Sequence, residues 1–306
     1  MTRGSANGPP RAPLLEGLAA STLQLPQGPW VTVLDCLSDH FTHVARDEWV
    51  SRFERGRVLD EHGGAVDAST PYSAGARIRY YREVAAEVPI PFEERIVHAD
   101  DHVLIADKPH FLPVTPVGQY VRETLLARLI RRTGNADLVP LHRIDRGTAG
   151  LVAFSVNSAS RAAYQALFRE RVIRKRYLAF AAPLPELAFP HVRSTRIVRG
   201  EPFIVSAEVA GVPNAETRIE VEDRGALAWR YALCPVTGKK HQLRLHLCAL
   251  GAPIVNDDLY PHVALRAADD FSKPLQLLAQ RLEFVDPLTG ALRRFDSRFE
   301  LDPLAH

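Results

Sequence analysis

Beyond Ile96 the chain alternates short stretches of apolar and polar residues with longer amphipathic ones, and this texture limits the fold more than any other feature. HVLIADKP, LVAFSV, RYLAFAA, ETRIEVED, WRYALCPV and QRLEFVDP read as strands, whereas VRETLLARLIRR and ASRAAYQALFRERV carry helical spacing. A strand whose side chains alternate in polarity has one face on a core and one in water, which suits antiparallel pairing. Strands of a doubly wound parallel sheet are apolar on both faces. The expected fold is α+β, with a mixed, largely antiparallel central sheet flanked by helices.

The first part of the chain reads differently. Residues 1–29 are rich in Pro, Gly and Ser and are expected to form a disordered tail. Residues 30–84 suggest a small α/β module. LDCLSDHF and RDEWVSRFERGRV have helical spacing, with Trp49, Val50 and Phe53 on one face, and two strand-like pieces follow, the first bent around Gly63–Gly64. The prolines of PIPFEER block helix and make a linker, so a larger domain is expected over 89–306. With 306 residues, 46% of them hydrophobic, the chain can bury a sizeable core in that domain.

A net charge of +2 is too small to argue for a polyanionic partner, so any such case rests on where the charges lie. Cys36, Cys234 and Cys248 show neither paired metal spacing nor a disulfide framework, which suits a reducing compartment. The N-terminus lacks the apolar core of a signal peptide, and no apolar run is long enough to span a bilayer. A soluble, cytoplasmic protein is expected.

Three stretches can carry chemistry. In LHRIDRGTAGLVAFSVNS, Asp145 lies between Arg143 and Arg146 and just ahead of an apolar strand. Local sequence fits two readings: a structural ion pair with Arg143, Arg146 or a more distant base, or a reactive carboxylate kept ionised by guanidinium groups. The small residues Gly147 to Gly150 would let a backbone or a flat ligand approach. In RERVIRKRYLAF, a basic run leads into Tyr177, the combination of cations and π-face that an unstacked nucleic-acid base requires. In TGKKHQLRLHLCALGAPIVNDDLY, breakers at both ends favour a helix over a strand. That helix would set Arg244 one turn from Lys240 and His241, a basic face for phosphate or carboxylate, while His241 and His246 lack the spacing of a helical metal pair.

Together these stretches resemble the RluA family of RNA pseudouridine synthases. HRIDRGTAGLVAFS is similar to the family's catalytic motif, RKRYLAF to its lysine-x-tyrosine strand, and TGKKHQLRLHLCALGAPIVNDDLY to its Thr-Gly-Arg-x-His-Gln-Leu-Arg block. VLIADKPHFLPVTPVG resembles the opening Asp-Lys-Pro segment and LQLLAQRLEFVDPLTG the closing strand, so the likeness runs in order over about residues 89–300. Ala149 replaces a usual serine, Asn256 a usual glycine and Ile144 a usual leucine. Residues 30–83 faintly resemble the small RNA-binding module named for the fourth small-subunit ribosomal protein, with a basic face diluted by Asp47, Glu48, Glu54, Asp60 and Glu61.

The resemblance implies that Asp145 is the catalytic aspartate, that Tyr177 stacks on a flipped uracil, and that Arg244 pairs with the aspartate. His142, Arg143, Arg146, Lys175, Lys239 and His241 become candidates for substrate contacts or loop support. The implied reaction isomerises uridine in rRNA or tRNA, uses no cofactor and no metal, and is expected of a monomer. Two rivals remain at this stage: a non-catalytic RNA-binding protein of the same fold, and a hydrolase that joins Asp145 to His142 or His241.

Overall fold

The computed structural model describes residues 13–15, 17–84 and 86–302. Its contacts divide the chain between Ala86 and Glu87 into two compact units, the segment Ile130–Ala136 belonging to the first.

In the first unit, strand β1 (Ser21–Gln24) precedes helices α1 (Val33–His40) and α2 (Arg46–Glu54), then strands β2 (Val58–Asp60) and β3 (Arg77–Tyr80). A capping box starts α1: the Thr32 hydroxyl accepts the Asp35 N–H, and the Asp35 carboxylate accepts the Thr32 N–H. Trp49 and Phe53 of α2 point inward, as their spacing predicts, against Leu37, Val58 and Ile78. The expected disordered tail over 1–29 needs correction within the described residues. Ser21–Gln24 pairs antiparallel with β3, and Leu25 is buried in the core. Leu23 and Leu25, two positions apart, supply enough apolar surface for a strand, a signal lost in the composition of the whole segment. Arg52, Arg55 and Arg57 converge on Glu83, and Arg46 pairs with Asp35.

In the second unit, β4 (Arg95–Ala99) and β5 (Val103–Lys108) precede helix α3 (Leu125–Thr133), whose last residues fall in the first unit. Next come β6 (Val139–Pro140), β7 (Ala149–Ser155), helix α4 (Arg161–Arg169), β8 (Arg174–Ala181), β9 (His191–Arg199) and β10 (Ser206–Val209). The series ends with β11 (Ala215–Arg224), β12 (Trp229–Pro235), helix α5 (Gln242–Ala249), β13 (Leu277–Val285) and β14 (Leu292–Asp296). These strands form one sheet in the order β10-β9-β11-β12-β8-β13-β7-β5-β4, with β14 on β13 and β6 on β7. Among the described residues its pairings are antiparallel except β7 with β13, so the sheet is mixed and largely antiparallel, as its alternation predicts. β5 and β7 are buried along their whole length. Helix α4 covers them with Tyr164 and Leu167, and α5 packs Leu243 and Leu247 against Tyr177, Leu233 and Leu277.

The single parallel contact depends on a glycine. Gly150 has φ +108°, and a Cβ there would lie 2.3 Å from the Ala279 carbonyl oxygen. No other residue lets β7 and β13 meet at this point, immediately after the Asp145 turn.

Candidate active site

Asp145 opens a tight turn in which the Thr148 N–H donates to the Asp145 carbonyl. Two side chains at the end of β5 hold this turn from below. Lys108 Nζ donates to the Arg146 carbonyl at 3.2 Å and to the Pro109 carbonyl at 2.9 Å, and His110 Nδ1 donates to the Gly147 carbonyl at 2.7 Å. Burial strips hydration from the Lys108 ammonium and lowers its pKa to about 7, partly opposed by the negative charge of Asp145. On the strand side, the Leu141 N–H bonds Ala153, and the Ala153 N–H donates to His142 Nε2 at 3.1 Å. The His142 ring stacks on Phe168, with centroids 4.7 Å apart, and burial lowers its pKa to about 3. A neutral imidazole whose lone pair accepts a backbone N–H is a strut for the turn.

The partners of Asp145 are not its neighbours in sequence. Arg244 Nη1 lies 3.6 Å from Oδ2, and His241 Nε2 lies 3.9 Å from Oδ1. Of the two flanking arginines, Arg143 is exposed, while Arg146 donates to the Tyr120 hydroxyl at 2.5 Å and stands over that ring. Arg244 is buried in α5 and grips Asp257 with two parallel bonds, Nε–Oδ2 at 2.7 Å and Nη2–Oδ1 at 2.5 Å, and adds Asp258 at 2.9 Å. This fork fixes the guanidinium and turns its remaining nitrogen toward Asp145. Asp257 itself accepts the Leu259 and Tyr260 N–H groups, so its own position is set by the chain. Asn256, just ahead of it, has φ 63° and donates to the Pro274 carbonyl, so asparagine fills a left-handed position in the family's glycine slot.

The turn before α5 is organised by Gln242. Its Oε1 accepts the Thr237 hydroxyl and the Lys239 N–H, and its Nε2 donates to the Glu216 carbonyl and to Thr217. Lys175 Nζ donates to the Thr237 carbonyl, leaving its stem along the cavity wall. The helix expected over HQLRLHLCAL is present, and of the basic face expected near its start Arg244 receives carboxylates, those of Asp145, Asp257 and Asp258. Arg244 is buried between carboxylates, and Lys240 reaches away to the Ile204 carbonyl. His241 and His246 serve separate partners: His246 is fully buried between Thr195 and Thr217. The basic run of 169–176 is also mostly spent within the protein, since Arg169, Arg174 and Arg176 pair with Glu170, Glu283 and Glu222.

These elements surround a cavity of about 620 Å³, a size that suits a nucleoside. Asp145, Tyr177, Arg244 and His241 line it together with Lys175, Lys239, Arg143 and Arg146. The whole candidate set therefore shares one cavity, His142 included, although that ring is engaged in holding the turn. Tyr177 comes from β8, and burial together with the Asp145 charge pushes its phenol well above the usual range, so it is a neutral ring in the wall. Lys108, His110 and Asp257 act at the site without having been singled out from sequence. The first two lie in the stretch that resembles the family's opening Asp-Lys-Pro segment, where Asp107 and Lys108 are charged residues at the end of an apolar strand.

Comparison with known proteins adds the identity of this arrangement. Residues 102–249 match the family model for RNA pseudouridylate synthase, a span that runs from β5 through α5 and holds Asp145, Tyr177 and Arg244. An uncharacterized RNA pseudouridine synthase of Synechocystis sp. is 30% identical over 245 residues, covering 74% of this chain and 79% of its own. The dual-specificity RNA pseudouridine synthase RluA of Haemophilus influenzae is 30% identical over 218 residues, 66% of this chain and 92% of its own. Among solved structures, human RNA pseudouridylate synthase domain containing 1 superposes with a TM-score of 0.56 at 23% identity, over 70% of this chain and 86% of that one, a likeness of fold. No helix among the described residues is long and apolar enough to cross a membrane. Motifs that occur in the family's order, and relatives matched over most of their length, lead to one conclusion: the chain belongs to the RluA family of RNA pseudouridine synthases, and it is an isomerase.

Proposed function

We propose that Asp145 is the carboxylate that carries the isomerisation, acting on a uridine of rRNA or tRNA flipped into the cavity. The observation that carries this reading is the position of Asp145 within reach of a buried guanidinium, in the cavity that Tyr177 also lines. The glycosidic bond from sugar C1′ to ring N1 breaks, the uracil turns, and ring C5 bonds to C1′. The C5 proton leaves to solvent and N1 gains a proton, so nothing is oxidised and no group is lost. Extrusion of the nucleotide costs a few kcal/mol, which stacking on the Tyr177 ring partly offsets. Arg244 sets its positive charge beside Asp145 Oδ2 at either step open to it, attack on C1′ or removal of the C2′ proton. Arg143 and Lys239, exposed at the rim, meet the RNA backbone together with Lys175.

The enzyme is read as acting as a monomer, and three free cysteines agree with a cytoplasmic setting. The test is Asp145→Asn, which keeps the shape and removes the charge. It is expected to bind RNA as the parent does while releasing no tritium from RNA labelled at uridine C5. Turnover near that of the parent would refute the assignment.

A further inference from the structure

His241 has a backbone that few histidines adopt. It is the residue before the first turn of α5, with φ 57° and ψ 18°, and its side chain makes no capping bond to the helix. A left-handed residue of this kind costs on the order of 1 kcal/mol or more, and such strain gathers where a side chain must be aimed. Here the aim is clear. Nδ1 lies 3.1 Å from the Tyr260 hydroxyl, and the opposite nitrogen, Nε2, faces Asp145 Oδ1 at 3.9 Å. The Tyr260 hydroxyl is itself anchored, accepting the Ser206 N–H of β10 at 2.7 Å. Its one proton has two acceptors at 3.1 Å, the Ser206 carbonyl and His241 Nδ1.

We propose that His241 is a positioning residue for Asp145, which presents Nε2–H to Oδ1 while Arg244 presents its guanidinium to Oδ2. This rests on Asp145 being the reacting carboxylate. An ionised carboxylate has only lone pairs to offer, so an imidazole nitrogen facing it must carry the proton. Nδ1 is then the acceptor, and the Tyr260 hydroxyl donates to it. The chain of donors runs from the Ser206 N–H through Tyr260 and His241 to Asp145. Burial keeps the imidazole neutral, with Arg244 and Lys240 adding to that effect and Asp145 and Asp257 opposing it. Each carboxylate oxygen thereby has its own donor, and the carboxylate plane is fixed on both sides. The contact of 3.9 Å is long for a hydrogen bond and is expected to close when substrate expels water.

The test compares His241→Asn, Tyr260→Phe and the double variant. Tritium release is measured on C5-labelled RNA from cells that lack the enzyme. Asparagine accepts the left-handed backbone and reaches Tyr260 but not Asp145, so the fold, checked by thermal melting, is kept. The expected result is a fall in kcat of about 10- to 100-fold with KM changed by less than about threefold, as for a misplaced reacting group. Tyr260→Phe is expected to lower kcat by about three- to tenfold and to add little on top of His241→Asn, because it acts through the same ring. A folded His241→Asn enzyme with unchanged kcat, a loss confined to KM, or full additivity of the two variants would overturn the proposal. Inactive Asp145→Asn beside active His241→Asn rejects the positioning role alone, whereas active Asp145→Asn rejects the reading on which it rests.

Discussion

Replacing Gly150 by alanine tests whether the seam between β7 and β13 sets up the Asp145 turn. A Cβ at Gly150 would meet the Ala279 carbonyl oxygen at 2.3 Å and the Ala279 nitrogen and carbonyl carbon at 2.7 Å, all backbone atoms that cannot swing aside. The φ of +108° also excludes an ordinary L-residue. Backbone strain of about 1–2 kcal/mol, overpacking of about 1–3 kcal/mol and one ladder bond lost at about 1 kcal/mol add to roughly 3–6 kcal/mol. The entropy gained by stiffening the unfolded chain returns at most about 1 kcal/mol. Gly147→Ala is the control three residues away. Its Cβ would touch only the Leu275 side chain, at 3.3 Å, and its φ is ordinary, so a change within about 1 kcal/mol is expected. Urea unfolding followed by far-UV circular dichroism, which the larger unit dominates, reads both variants. If the two midpoints coincide, the seam does not carry the strain assigned to it, and the glycine has no structural cause here.

Acid should destabilise the fold through histidines that are neutral when folded. Burial lowers His246 to about 4, against 6.5 for the free side chain, so below 6.5 the unfolded chain takes up a proton that the folded one refuses. Stability falls as pH drops through that window, by about 2 kcal/mol for this group at pH 5. His246→Gln should flatten the urea midpoint between pH 7 and 5 by about that amount, and an unchanged slope would contradict the cause. At Asn256, φ 63° and the bond to Pro274 predict that glycine is tolerated. Valine should cost about 1–3 kcal/mol and, by shifting Asp257, reduce turnover; equal melting of the two variants would count against this.

The alternation of apolar and polar residues made the sheet legible, and breakers at Thr237–Gly238 and Gly251 marked α5. Strands β1 and β9 were hidden for the opposite reason. STLQ and HVRSTRIVR have too few large apolar side chains to show a pattern, because both lie toward sheet edges where pairing, more than burial, holds them. At the site, Asp145, Tyr177 and Arg244 were legible as residue types, but local sequence left the partner of Asp145 open, and only the family resemblance pointed to Arg244. Of the two local readings, the nearby arginines looked sufficient, yet the turn sends Arg146 to Tyr120 and leaves Arg143 in solvent. Only the fold carries Arg244 across from α5. The struts Lys108 and His110 act through backbone carbonyls, and a bond to a carbonyl leaves no trace in the identity of the residue that accepts it.

Arg244 answers three carboxylates, those of Asp145, Asp257 and Asp258, with a single positive charge. Exposed cations share the cavity wall with Asp145, at Arg143, Arg171, Lys239 and Lys240. Among the described residues, Asp145 is thus the one carboxylate in a cavity wall otherwise charged by cations, while Asp257 and Asp258 stand behind Arg244 outside the lining. On the reading proposed above, this order of charge retains the phosphodiester at the entrance and leaves the ring to descend to the lone acid.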